Sequence, residues 1–431
     1  MDKISVNKLV EEVKSDLPRQ LIVSIAQNCL SENNHNQEII ETFKTKVVEY
    51  SLKIQKKVIN CTGTLLHTNL GRAQTDIGFS GESTNVEYDI LKNKRGKRNE
   101  FLSESMNLLL NSEDVCFVNN NASSLFITLK TLKDKFNIKS VIISRGEIIE
   151  IGGSYRLPEI INETELKMIE VGTTNKTKIN DYKKALKENE NAIILKVHRS
   201  NFSIDGFVEE VNLKNLKNLT DQENSILIHD LGSGLVASRK FLEKENISIF
   251  NDEPTVQESL QQGVNLVMFS GDKLFGSVQS GIIAGDKKII QSIKKSPLFR
   301  TYRCSPLTLF ELQEATGKYI SKKEIEIPLW KMISIKYEDL ENRIKSLSEN
   351  LNINHEVVEN NSVMGGGTLP NKFIASPVIK ISESENKDLT TKLMQNEIPI
   401  VPRINKDHII IDLRSTLEKN DILIRDFFKK L

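Results

Sequence analysis

Apolar residues near the N-terminus recur at helical spacing: Leu9, Val10 and Val13, then Leu21, Ile22 and Ile25, then Ile39, Ile40 and Phe43. Pro18 opens the second of these segments, and the polar stretch 31–36 separates it from the third. Residues 1 to about 57 are therefore expected to be helical. Basic and acidic side chains are nearly balanced there, which leaves little net field.

From about residue 58 the pattern changes to short apolar runs alternating with amphipathic stretches. Strands are expected over 115–118, 141–144, 166–171, 192–197, 225–229, 265–269 and 281–284. Helices are expected over 125–132, from Asp181 as a possible N-cap, and over 256–261. Runs apolar on both faces and separated by helices predict a mainly parallel α/β sheet. A long helical stretch from 307 towards 351 leads to a smaller unit. Strands at 377–381, 398–401 and 408–413, with a helix at 389–394, give that unit an α+β pattern. The domains expected are 1–57 (helical), 58–320 (large α/β) and 321–431 (linker helix and small α+β layer). The glycine-rich segment 364–368 reads either as a loop that can approach a ligand or as a plain connector.

The chain has 431 residues and a formal charge of +1, with 38% hydrophobic and 27% charged residues, so an ordinary globular protein is expected. No apolar run approaches the roughly 20 residues of a membrane helix. Asp2, Glu11 and Glu12 fall where a signal peptide would be apolar. Cys29, Cys61, Cys116 and Cys304 are widely spaced, and the six histidines form no HxxxH pair. Neither a disulfide framework nor a metal site is expected, and a cytoplasmic location follows. The charge balance gives no global sign of DNA or other nucleic acid, so an RNA surface would have to be local.

The most informative segment is FSGDKLFG at 269–276, where an apolar strand ends and Lys273 is presented in a glycine-bounded turn. Low-dielectric surroundings disfavour an ammonium, so such an amine can act as nucleophile or base. This is the requirement for a Schiff-base lysine of pyridoxal phosphate (PLP), although a lone lysine at a strand end is more often a solvated loop residue. Three features change that balance. Asp230 ends the preceding long strand and can pair with a protonated pyridine nitrogen. The turn VNNNAS at 118–123 places Asn120, Asn121 and Ala122 where a helix N-terminus can hold a phosphate. Ser270, three residues before the lysine, can add a hydroxyl. Phosphate loop, aspartate and lysine in this order point to the aspartate-aminotransferase type of PLP enzyme, fold type I.

Longer strings carry a specific resemblance. NCTGTLLHTNLGRA at 60–73, VEYDILKNKRGKR at 86–98, SRGEIIEIGGSYRLP at 144–158, EVGTTNKT at 170–177, KVHRSNFSIDGF at 196–207, DLGSG at 230–234, GGGTLP at 365–370 and IIIDLR at 409–414 are the matching segments. With VNNNAS and FSGDKL, they make the chain resemble the bacterial selenocysteine synthase family, L-seryl-tRNA(Sec) selenium transferases. The resemblance implies PLP linked to Lys273, which also serves as the α-proton base. It implies seryl-tRNA(Sec) and selenophosphate as substrates, with Arg72, Arg300 and Arg303 as the anion site. It further implies a homodecamer of five dimers with shared active sites, and an N-terminal helical unit that grips tRNA.

Arg300 and Arg303, three apart, would share one face if helical. Lys92, Lys94, Arg95, Lys97 and Arg98 read either as a tRNA or phosphate track or as a solvated loop. Arg145, Glu147, His198 and Asn201 read either as cofactor contacts or as buried scaffold. The sequence departs from the family at Ser277-Val278, at Ser305-Pro306, and in a short polar stretch between Arg72 and Val86. A PLP lyase or sulfur transferase acting on a small amino acid is the alternative enzyme. A non-catalytic RNA-binding subunit is disfavoured by the intact Lys273, Asp230 and 119–123 set.

Overall fold

The computed structural model describes residues 4–32, 36–76, 78, 83–151, 155–204, 206–349, 351–365, 367–369 and 371–431. Parts of the motifs at 152–154, 366 and 370, and most of the polar stretch after Asp76 up to residue 82, lie outside the described residues. Two compact units divide the chain: 1–59 with 383–402, and 60–382 with 403–431. The boundary expected near residue 320 falls inside the second unit.

In the first unit, Val6–Glu11, Arg19–Glu32 and Asn36–Lys53 are helices, as their spacing predicts. Ser5 caps the first by accepting from Lys8 N–H at 3.3 Å. Leu9, Ile22, Ile25, Cys29, Ile39, Phe43 and Val47 form a core of their own.

The second unit is built on seven strands: β1 (Asp114–Val118), β2 (Ser140–Ser144), β3 (Lys167–Val171), β4 (Ala192–Val197), β5 (Leu227–Gly232), β6 (Leu266–Ser270) and β7 (Gly281–Gly285). They lie in the order β1-β7-β6-β5-β4-β2-β3. The neighbours among β2 to β6 pair in parallel, while β7 runs antiparallel to β6 and to β1. Alternate residues of each strand enter opposite cores: Val115 and Phe117 pack on one face, Cys116 and Val118 on the other. Both faces are covered, which is why the strands read as continuous apolar runs. The fold is α/β, as expected.

Local differences have local causes. The helix expected from Asp181 begins at Ile179, and Asp181 accepts from Lys178 N–H at 2.8 Å from within the first turn. The long helix expected from 307 is three helices, Pro306–Ile320, Pro328–Ser334 and Tyr337–Ser348. Lys322, at φ +57°, and Pro328 at a first-turn position mark the first break. In the small sheet, Phe373–Ser382 pairs antiparallel with Glu356–Val363 and with His408–Ile411. The strand Glu356–Val363 has no apolar run to mark it, because its polar and apolar residues are mixed and only Ser362 among them is buried.

Candidate active site

The unusual loops cluster at the C-terminal ends of the parallel strands, where α/β sheets place ligands. β6 ends at Ser270, and the chain turns through Asp272 and Lys273 into buried Leu274 and Phe275. This turn is fixed from behind. Trp330 Nε1 donates to the Tyr319 hydroxyl at 2.7 Å, and that hydroxyl donates to the Phe275 carbonyl at 2.9 Å. From the other side, Leu274 N–H donates to the Ser233 carbonyl at 2.9 Å. Gly234 permits this approach: its φ is +72°, and a Cβ there would stand 2.8 Å from the Ser270 carbonyl oxygen.

Lys273 is only 4% exposed. Burial lowers its pKa, and the neighbouring Arg72 charge acts in the same direction. Its Nζ donates to the Gly367 carbonyl at 3.4 Å, so the glycine-rich segment does approach the reactive group. Around Lys273 lies a cavity of about 200 Å³ whose walls include Arg72, Asn120, Asn121, Ala122, Asp230 and Ser270. Seven residues singled out from sequence, Lys273 included, therefore meet in one place.

At one end of the cavity, β1 leads into the helix Asn121–Phe136. The Asn120 side chain accepts from Ser123 N–H at 2.9 Å and so caps the helix. Asn121 and Ala122 lie in the first turn, where N–H groups have no intrahelical acceptor. β7 closes against this turn, since a Cβ on Gly281 would collide with the Asn120 carbonyl and the Ser124 hydroxyl.

Asp230, 7% exposed, accepts from Asn121 Nδ2 at 2.9 Å. Burial raises its pKa, against the pull of the Asn121 hydrogen bond and the Lys273 charge. The Asn121 side chain thus orients Asp230, and its backbone N–H is what remains for an anion.

Arg72 reaches the cavity from a backbone in the left-handed region, φ +62°, which costs a non-glycine residue about 1–2 kcal/mol. Arg72 N–H donates to the His67 carbonyl at 3.0 Å, and Ala73 N–H donates to the Asp272 carbonyl at 3.1 Å. Arg72 Nη1 pairs with Asp272 Oδ2 at 2.7 Å, while its Nε is buried without a partner among the described residues. The guanidinium is anchored at one nitrogen and has donors to spare.

Arg300 and Arg303 do not line this cavity. Pro297–Arg300 is a 3-10 turn, and Arg303 lies beyond it, bridged to Val118, so the two share no helix face. Arg300 is exposed, and Arg303 Nη1 is 3.7 Å from Glu87 Oε1. Arg95 and Arg98 also pair with Glu87, at 3.3 and 3.4 Å. Lys92 and Lys97 pair with Asp89 and Glu100. Three arginines thus share the one Glu87 carboxylate, so the ion pairs hold the hairpin in place and leave it cationic.

Glu147 is buried and bonded to Lys196 Nζ at 2.6 Å and Val197 N–H at 2.9 Å. Arg145 points outward to Glu170 at 2.9 Å. Neither lines the cavity; Glu147 is buried scaffold, whereas Arg145 is exposed. His198 does line it, and Asn201 Nδ2 donates to the Glu150 carbonyl at 3.2 Å. Sequence reasoning left Asp272, Ser200, Gln279 and the Gly367 carbonyl without roles, although Asp272 stood in the quoted FSGDKL string.

A family model described as L-seryl-tRNA selenium transferase matches residues 58–417. The chain is 36% identical over 433 residues to the L-seryl-tRNA(Sec) selenium transferase of Aliarcobacter butzleri, covering 98% of this chain and 92% of that protein. It is 36% identical over 451 residues to that of Clostridium perfringens, covering 98% and 95%. Among solved structures, a D-glucosaminate-6-phosphate ammonia-lyase superposes with a TM-score of 0.59 at 17% identity, covering 87% of this chain and 95% of that one. That likeness concerns the fold.

Proposed function

The chain belongs to the L-seryl-tRNA selenium transferase family, and we propose that it uses PLP held at Lys273 to replace the β-hydroxyl of seryl-tRNA(Sec) with selenium from selenophosphate. The observation that carries the site assignment is the meeting of a buried lysine, a buried carboxylate and a helix N-terminus in one cavity.

The residues present fit the coenzyme. The Asn121 and Ala122 N–H groups and the Ser270 hydroxyl would hold its phosphate at the positive helix end. Asp230, steered by Asn121, would hold the proton of the ring nitrogen, and that cation would in turn keep the buried carboxyl ionised. When bound, PLP supplies an electron sink for the pair left as the seryl α-proton departs. Lys273, with its ammonium form disfavoured, receives that proton on Nζ. Arg72, held by Asp272, offers its remaining N–H donors to the anionic selenium donor.

Arg300 and Arg303 lie outside the cavity of their own chain, so their role on selenophosphate requires a neighbouring subunit or movement of the 297–303 segment. Exposed Ile90, Leu91, Phe101 and Leu108 support assembly, for which we propose the decamer of five dimers. The separate core of the N-terminal helices supports a unit of its own for tRNA. The described residues hold no helix long and apolar enough to cross a membrane, and no disulfide joins the four cysteines. Both observations fit the cytoplasmic location we propose.

The test is conversion of seryl-tRNA(Sec) to selenocysteinyl-tRNA(Sec) by PLP-loaded protein with selenophosphate, alongside seryl-tRNA(Ser) and free serine. Product from seryl-tRNA(Sec) alone is expected. Turnover of free serine without tRNA dependence would establish the small-amino-acid lyase instead.

A further inference from the structure

Behind the cavity wall lies a carboxylate with no part in the mechanism above. Glu253 follows the 3-10 turn Ser248–Phe250 and is 3% exposed, and its Oε2 is 3.0 Å from His198 Nε2. Its Oε1 is buried without a hydrogen-bond partner among the described residues. The loop is firmly held, because Arg239 donates to the carbonyls of Phe250 and Glu253 at 2.8 and 2.7 Å. A buried carboxylate needs a donor, so the imidazole carries hydrogen on Nε2.

His198 follows β4, and its N–H donates to the Asp230 carbonyl at 2.9 Å, so it stands beside the ring-nitrogen aspartate. Its side chain lines the cavity. With Nε2 engaged by Glu253, Nδ1 is left with no hydrogen bond to the described residues. A carboxylate that fixes one ring nitrogen so that the other faces a reacting group is a recurrent device for orienting histidines.

We propose that Glu253 is a positioning residue of the reaction: it holds the His198 ring so that Nδ1 accepts a hydrogen bond from the phenolic hydroxyl of the bound coenzyme. The inference rests on the reading that this cavity takes PLP. Ordinary packing of a buried histidine is the competing account, and it predicts no change in the coenzyme itself.

The test compares wild type, Glu253→Gln, His198→Asn and the double variant, each loaded with PLP. Both single variants should keep the borohydride-fixable link to Lys273 yet shift the visible absorption maximum of the bound coenzyme. The kcat on seryl-tRNA(Sec) should fall about 10- to 100-fold with KM unchanged, the range seen when a carboxylate orienting a histidine is removed. The double variant should be no worse than His198→Asn alone, because one residue acts through the other. Absorption spectra superimposable on wild type in either single variant, or losses that multiply in the double variant, would overturn the proposal. A wild type that takes up no PLP would overturn the functional reading, and this inference with it.

Discussion

Arg72 and Asp272, 200 residues apart in the chain, form a 2.7 Å ion pair at the wall of the cavity that holds Lys273. Because Asp272 precedes the lysine, the pair couples the Arg72 guanidinium to the lysine turn itself. The Ala73 N–H to Asp272 carbonyl bond ties the two backbones together as well.

Replacing Asp272 by Asn should free Arg72 without removing its charge. Stability is expected to fall by about 1.5–3 kcal/mol, the worth of a hydrogen bond to a charged group. PLP uptake should persist, while selenium incorporation drops about 10- to 100-fold from misplacement of the guanidinium. Denaturant unfolding and a single-turnover assay check the two halves separately.

Asn121→Ala removes the amide that orients Asp230. Losing one hydrogen bond to a charged group of about 1.5–3 kcal/mol corresponds to coenzyme binding roughly 10- to 100-fold weaker. Titration of coenzyme-free protein with PLP, followed by absorbance, measures this. An unchanged dissociation constant would mean that Asp230 does not depend on Asn121.

The pKa of Lys273 is lowered by burial, so in coenzyme-free protein the unfolded chain binds more protons than the folded one between that depressed value and the ordinary lysine range. Stability from this group therefore rises with pH through that window. Lys273→Met should make the coenzyme-free protein more stable at neutral pH, and its advantage should shrink as pH climbs towards about 10.4. Thermal unfolding across pH 7 to 10 is the measurement, and an advantage independent of pH would place Lys273 in a polar setting.

How much could be read in advance depended on distance along the chain. Lys273, Asp230 and Asn120–Ala122 were legible because each lies at, or within a few residues of, the C-terminal end of a recognisable apolar strand. The approach of Gly367 to Lys273 spans 94 residues, and the Asp272 partnership spans 200; no local pattern encodes either. Arg300 and Arg303 share no face because an i, i+3 pair does so only inside one continuous helix, and a 3-10 turn ends at Arg300. Glu253 was invisible for a different reason: an acidic residue in a loop ordinarily signals solvent, and only the packed Arg239 scaffold buries it.

The most direct measurement is borohydride reduction of the PLP-loaded protein followed by peptide mass mapping. The account predicts the coenzyme's added mass on the peptide that contains Lys273, and its loss in Lys273→Ala. The same mass found on another lysine, with the amine at 273 unmodified, would contradict it.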